Sequence, residues 1–377
     1  MIHRTRPRGF TLIELLMALS IIAVLSGLLI TAVPMALRAA YRATVVSEMN
    51  AITAAVKTAT DHHGQPFSQI MLSETGRYDA DFLDAQLPGL ANRHVLRVRS
   101  VQILQRAWPR VQLLPNGGAI RPPGIGFYDF NGNGRLDIQP YVLDGSECLA
   151  FYMGGVPKPY QKDDGTIGFG MIGWATNRLN PFQPDSYIPA NSTLEVTPGR
   201  DPSMFAFKGS RLEDHDGDGF PRLNDCFSSE PTPYGFFVSV NGEYDPSHCD
   251  SATEPDGSPS PVGAFKYNGA FVSSPAPNPY TTGPALPVSG SYASGPLDTT
   301  VAFRPNYHNR ETFQVICAGA DRRFGPGGQY APESTENKLP YPALASSQVP
   351  GGVSQELTVR DVEADNQLNG ISGVLGK

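Results

Sequence analysis

The sequence predicts an α+β protein: a long N-terminal helix, apolar in its first half and amphipathic in its second, packed on a β-rich, loop-rich globular domain. Three observations lead there. An almost uncharged apolar run, Phe10 to Leu37, follows a short basic segment. Apolar residues then recur at Tyr41, Val45, Met49, Ile52 and Val56, a helical spacing. The chain also holds 39 Gly and 35 Pro in 377 residues with only 17% charged residues, which favours turns and short strands over a mostly helical protein. The expected organisation is a basic leader at 1–9, a membrane-spanning helix at 10–37, its amphipathic continuation at 38–63, and a globular domain at 64–377.

Met1 to Gly9 carries Arg4, Arg6 and Arg8 and no acidic residue. The apolar run behind it exceeds the roughly 20 residues that cross a bilayer as helix. The arginines place the N-terminus on the cytoplasmic side. A secretory signal has an apolar core of about 7–15 residues ending in a small-residue cleavage site, and this run is longer and has no clear site of that kind. Glu14 sets the run apart from an ordinary anchor. A carboxylate in a membrane helix costs up to a few kcal/mol towards the bilayer centre and persists only where something neutralises it.

The order Gly9-Phe10-Thr11-Leu12-Ile13-Glu14 resembles the processing site of type IV pilins and type II secretion pseudopilins. The resemblance implies that a prepilin peptidase cuts between Gly9 and Phe10 and methylates the new N-terminus at Phe10. It also implies that Glu14, fifth in the mature chain, pairs with a neighbouring subunit's α-amine, so two buried costs cancel only on assembly. The implied partners are the peptidase, other pilin or pseudopilin subunits in a filament, and the inner membrane. The chain would cross that membrane once, with its C-terminal domain extracytoplasmic. Pro34 lies inside the helix and predicts a kink or local melting; Gly64 and Pro66 predict its end. His62 and His63 read as exposed polar residues at a helix end, with metal ligation as the alternative.

In the globular part, Val95, Val98, Val101, Leu104 and Trp108 favour a helix within 91–108, and a strand around Leu96 and Val98 is the competing reading. Tyr234–Val240 and Thr312–Ile316 read as strands. Positions 251–300 hold 9 Pro, 6 Gly and 8 Ser, the composition of a long loop or insertion.

Two segments carry metal chemistry. In the first, Asp129, Asn131, Asn133 and Asp137 put side-chain oxygens at positions one, three, five and nine. Gly134 stands at six, and Arg135 offers a backbone carbonyl at seven. Pro140 occupies position twelve, where a bidentate Glu belongs, and Asp144 and Glu147 are the candidates to replace it. In the second, Asp214, Asp216 and Asp218 precede Gly219, Phe220 offers the carbonyl at seven, and Asp225 stands at twelve; Arg222 at nine departs from the pattern. The first loop resembles dockerin-type and other EF-hand-like calcium loops, and the second resembles thrombospondin-type and EF-hand-like loops. Three carboxylates within five residues repel one another unless a cation lies between them; the bland alternative is an Asn/Asp/Gly turn that binds nothing. One or two calcium ions are expected. Phe313 to Gly328 faintly resembles the last strand and calcium loop of the major pseudopilin, with Asp321 as a weak ligand candidate.

Cys226 and Cys249, with 22 residues between them and next to the second loop, form one possible disulfide, leaving Cys148 and Cys317; four cysteines allow three pairings. Gly168, Gly170 and Gly173 match GxGxxG, but the following residues cannot supply the helix that a dinucleotide site needs. No nucleophile or zinc-protease motif occurs, so no enzyme activity is expected. A net charge of −7 without clustered Lys and Arg argues against a nucleic-acid partner. The functional expectation is a pilin-like or pseudopilin structural subunit. Its rival is an extracytoplasmic enzyme or a ligand- or surface-binding domain displayed on a pilin-type anchor.

Overall fold

The computed structural model describes residues 12–90, 93–118, 126–188, 193–226, 232–242, 244, 279–282, 307–319, 328–330 and 367–369. The chain divides into two units, Met1–Val45 and Val46–Lys377.

In the first unit the helix α1, Leu12–His63, begins. Its stretch Leu12–Ile30 spans 19 residues with a mean hydropathy of 2.5. At ~1.5 Å per residue that is about 28 Å, the thickness of a bilayer core. Leu12, Ile13, Leu16, Ile22, Leu28 and Ile30 are all exposed, a surface that water does not favour and lipid does. The helix runs through Pro34 without a break, so the expected local melting does not occur. A proline removes one backbone hydrogen bond, whereas unwinding among apolar residues would strand several.

The second unit begins with the last turns of α1. Met49, Ile52, Ala55, Val56 and Ala59 are buried there, following the predicted stripe, whereas Tyr41 further up the helix is exposed. The remaining described elements are β1 (Ile70–Leu72), α2 (Ala80–Gln86), α3 (Arg93–Ala107), β2 (Tyr141–Leu143), α4 (Gly145–Gly154), β3 (Pro157–Gln161), β4 (Ile167–Met171), β5 (Trp174–Ala175), β6 (Arg200–Asp201), β7 (Leu212–Glu213), β8 (Arg222–Leu223), β9 (Gly235–Val238), β10 (Tyr280–Thr281), β11 (Phe313–Cys317), β12 (Gly328–Gln329) and β13 (Gln367–Leu368). The strands pair into small sheets: β1–β2, β3–β4, β5–β6 and β7–β8 antiparallel, β10–β12 parallel, and a three-stranded antiparallel sheet β13–β11–β9. Both predicted strands, at 234–240 and 312–316, are present and pair with each other, Phe313 opposite Val238. Most of the 251–300 segment lies outside the described residues.

The helix expected within 91–108 is α3, and of the apolar spacing that predicts it Leu104 and Trp108 are buried. Val95 and Val98 are exposed, while Leu96, Ser100 and Leu104 face the core. Steps of three residues drift round a helix of 3.6 residues per turn, whereas steps of four stay near one face. Ser100 is useful there: its hydroxyl accepts from the backbone N–H of Met71 at 2.8 Å, tying α3 to β1.

Aromatic rings form the centre. Trp108 and Trp174 lie 4.8 Å apart, Phe130 and Phe182 4.3 Å, and Phe151 and Trp174 4.9 Å. Ring pairs at such separations add about 0.5–1.5 kcal/mol each beyond area burial. His63 packs 5.4 Å from each of the two tryptophans, so it is not the exposed helix-end residue expected. A second cluster, with Phe237, Tyr244, Tyr280, Tyr307, Tyr330 and Leu368, covers the β9–β11–β13 sheet.

Candidate metal centre

Both acidic loops hang from this core by an aromatic residue. Phe130, second in the first loop, packs against Phe182 with the rings tilted at 46°. Phe220, seventh in the second, lies 5.7 Å from Phe151. The loops share a hydrogen-bond register. Asp129 Oδ2 accepts from Gly134 N–H at 3.0 Å, and Asp214 Oδ2 accepts from Gly219 N–H at 2.9 Å, in each case position one from position six. Both glycines hold positive φ, +73° and +93°, where a Cβ would be strained.

Further along the first loop, Asn131 Oδ1 accepts from Asn133 N–H at 3.2 Å and Asn133 Oδ1 from Arg135 N–H at 2.7 Å. In the second loop, Asp218 Oδ1 accepts from Phe220 N–H at 2.8 Å. The loops also touch. Asn131 donates to the Asp218 carbonyl at 3.3 Å and to the Tyr141 hydroxyl at 2.9 Å, while that hydroxyl donates to Asp137 Oδ2 at 2.6 Å. The Tyr141 ring lies 5.1 Å from Phe220.

Two glutamates that local loop patterns do not assign to these positions complete the picture. Glu74, between β1 and α2, is fully buried and reaches into the first loop. Its Oε1 accepts from Phe130 N–H at 3.2 Å and its Oε2 from Asp137 N–H at 2.7 Å. Glu147, on the first turn of α4, joins Asp216 and Asp218 in a group in which one carboxylate oxygen from each residue lies within 4.8 Å of the others. Asp144 and Glu147 therefore gather at the second loop rather than completing the first. They form a capping box: Asp144 Oδ1 accepts from Glu147 N–H and Glu147 Oε2 from Asp144 N–H, each at 2.9 Å. A D-x-x-E spacing before an apolar run is the local signal of such a helix start, which the reading of these two residues as loop ligands passes over. Arg222, the departure at position nine, turns to this pair, 3.0 Å from Asp144 and 3.1 Å from Glu147.

Burial dominates the electrostatics. It pushes the Glu74 carboxyl up to about 9, with Asp129 and Asp137 adding to the rise, and Asp129 up to about 7. Burial and then Asp216 push Asp218 up to about 8. Asp129 Oδ1 is buried and has no hydrogen-bond partner. A buried carboxylate oxygen left without a donor is costly. The oxygen-rich donor set and this orphaned atom fit a hard divalent cation such as calcium.

Asp225, the expected twelfth-position ligand, lies two residues past β8, where its Oδ2 accepts from the Cys317 thiol at 3.7 Å. The Cys148 thiol donates to the Leu143 carbonyl at 3.8 Å, so Cys148 and Cys317 are not bridged to each other. Cys226 is described; Cys249 and Asp321 lie outside the described residues, as do Gly9 and Phe10. Glu14 sits in the first turn of α1. The GxGxxG match falls on β4 and the turn into β5, and the described residues between β5 and β6 form no helix.

Residues 4–30 match the family described as the prokaryotic N-terminal methylation motif, a small part of the 377-residue chain. No curated protein and no solved structure matches. The chain thus carries an N-terminal methylation motif of pilin type on an apolar helix long enough to cross a membrane.

Proposed function

We propose that the chain is a pilin-like or pseudopilin structural subunit of a type IV filament or type II secretion system. It is cut between Gly9 and Phe10, methylated at Phe10, and assembled through α1, with Glu14 pairing to a neighbour's α-amine. The domain beyond the membrane holds calcium in its acidic loops: Asp129, Asn131, Asn133, Asp137 and the Arg135 carbonyl in one, and Asp214, Asp216, Asp218 and the Phe220 carbonyl in the other. The observation that carries this reading is the methylation motif at 4–30, with Glu14 set in an exposed apolar helix. For calcium, the support is the common register of the two loops and the buried, unpartnered oxygen of Asp129. Intact-mass analysis in a host with and without the peptidase tests the processing. The expected mature chain lacks Met1–Gly9 and carries one methyl group, and Gly9→Leu keeps the full mass. Normal cleavage of Gly9→Leu overturns the assignment.

A further inference from the structure

We infer that Glu74 is a ligand of the cation held by the first loop, supplying the carboxylate that Pro140 denies to position twelve. The inference rests on the reading of that loop as a calcium site and adds a residue from outside it. Glu74 is fully buried, and its two oxygens receive the N–H groups of positions two and nine, so the carboxylate spans the loop between Phe130 and Asp137. Each oxygen keeps a lone pair after accepting one hydrogen bond and can face an ion without releasing the backbone.

What points to an ion is Asp129. It is fully buried; Oδ2 is held by Gly134 N–H, while Oδ1 has no hydrogen-bond partner. Among the described residues, no Lys or Arg forms an ion pair with Glu74, Asp129 or Asp137. Arg200, whose field reaches Asp129, stands 3.8 Å from Asp185 instead. Two buried carboxylates and a half-buried third, set among neutral amides with no paired cation, favour a divalent ion with oxygen ligands. An ion bound this way reinforces the link between the turn after β1 and the loop that precedes β2, two segments far apart in sequence that the β1–β2 ladder and the Tyr128 N–H to Glu74 carbonyl bond also join.

The test is a calorimetric calcium chloride titration of the full-length chain in detergent micelles. An Asp216→Asn background disables the second loop, so the titration reads the first alone. The background chain is expected to bind one calcium, Asp129→Asn to abolish that binding, and Glu74→Gln to raise its Kd at least tenfold. Tryptophan emission in chelator checks that each variant keeps the parent fold. If Glu74→Gln does not, Glu74→Asp, which keeps the charge but withdraws the carboxylate, is expected to raise Kd as well. A Kd unchanged within twofold in a folded Glu74 variant, while Asp129→Asn abolishes binding, overturns the role of Glu74 and leaves the loop reading standing. No calcium bound by the Asp216→Asn background overturns the loop reading itself, and the Glu74 assignment with it.

Discussion

The Asn131 side chain donates to the backbone carbonyl of Asp218 at 3.3 Å, joining two acidic loops that lie 87 positions apart in the chain. The same amide donates to Tyr141, whose hydroxyl donates to Asp137. The two candidate cation loops therefore form one surface feature, anchored by Phe130 and Phe220 in a common aromatic core.

Tyr141→Phe tests that junction. The ring stays on Phe220 while the hydroxyl between Asn131 and Asp137 is lost. A hydrogen bond to a charged group contributes roughly 1.5–3 kcal/mol. Chemical denaturation in calcium is expected to show a loss of that order, and a loss below measurement error would mean that the hydroxyl does not couple the loops.

Calcium itself is expected to raise the melting temperature of the full-length chain in detergent. Binding to the folded state alone stabilises by about 2.7 kcal/mol at a hundredfold excess over Kd. Asp216→Ala should remove most of the second loop's share. Asp163→Ala, exposed and outside both loops, should remove none. Identical melting in calcium and in chelator would make both loops ordinary turns.

Gly132 holds a φ of +67°, and a Cβ there would lie 1.8 Å from the Pro157 carbonyl oxygen. Gly132→Ala must both strain the backbone and push the first loop off β3. A destabilisation of about 1–3 kcal/mol or more is expected from the backbone alone, read as a lowered melting temperature in calcium and in chelator alike. A variant as stable as the parent would show that the loop is not seated on β3.

His63 sets an acid limit on stability. Burial, then the neighbouring His62, lowers its pKa from 6.5 to about 4, with Asp201 opposing, and its buried Nε2 lacks a hydrogen-bond partner. The folded-state value lies below the unfolded one, so the stability conferred by the neutral ring is complete above about pH 6.5 and is lost as pH falls towards 4. The shift corresponds to a loss of order 3 kcal/mol. Over that range the melting temperature of His63→Gln should fall less than the parent's. Trp108 and Trp174, the chain's 2 tryptophans, flank the ring and report the change by fluorescence. Parallel pH profiles for variant and parent would remove His63 from the account.

Glu14→Val makes the membrane helix more apolar, so processing and insertion should persist while incorporation into filaments falls sharply. Co-assembly with wild-type subunits, scored by electron microscopy of sheared filaments, measures this. Undiminished incorporation would refute the pairing of Glu14 with a neighbour's amine.

The N-terminal helix, its end before Gly64, the two loops and the strands β9 and β11, though not their pairing, are readable along the chain, because each is set by interactions within a few residues. Apolar spacing, a glycine where φ is positive, and oxygens alternating towards one side are local signals. The structure alone decided what reaches those elements from elsewhere. Glu74 stands in a short turn with no pattern around it, and nothing local announces that β1 delivers it into a loop 55 positions away. Asp144 and Glu147 are marked as a helix cap, yet only the packing of α4 beside β8 turns them to the second loop and brings Arg222 between them. The apolar spacing gives α3 as a helix but only part of its buried side: Leu104 and Trp108 are buried, Val95 and Val98 are not, and Ser100 faces inward to hold β1. Periodicity records which residues share a face, whereas the partner that covers the face, and the charge that crosses to it, depend on packing between distant segments.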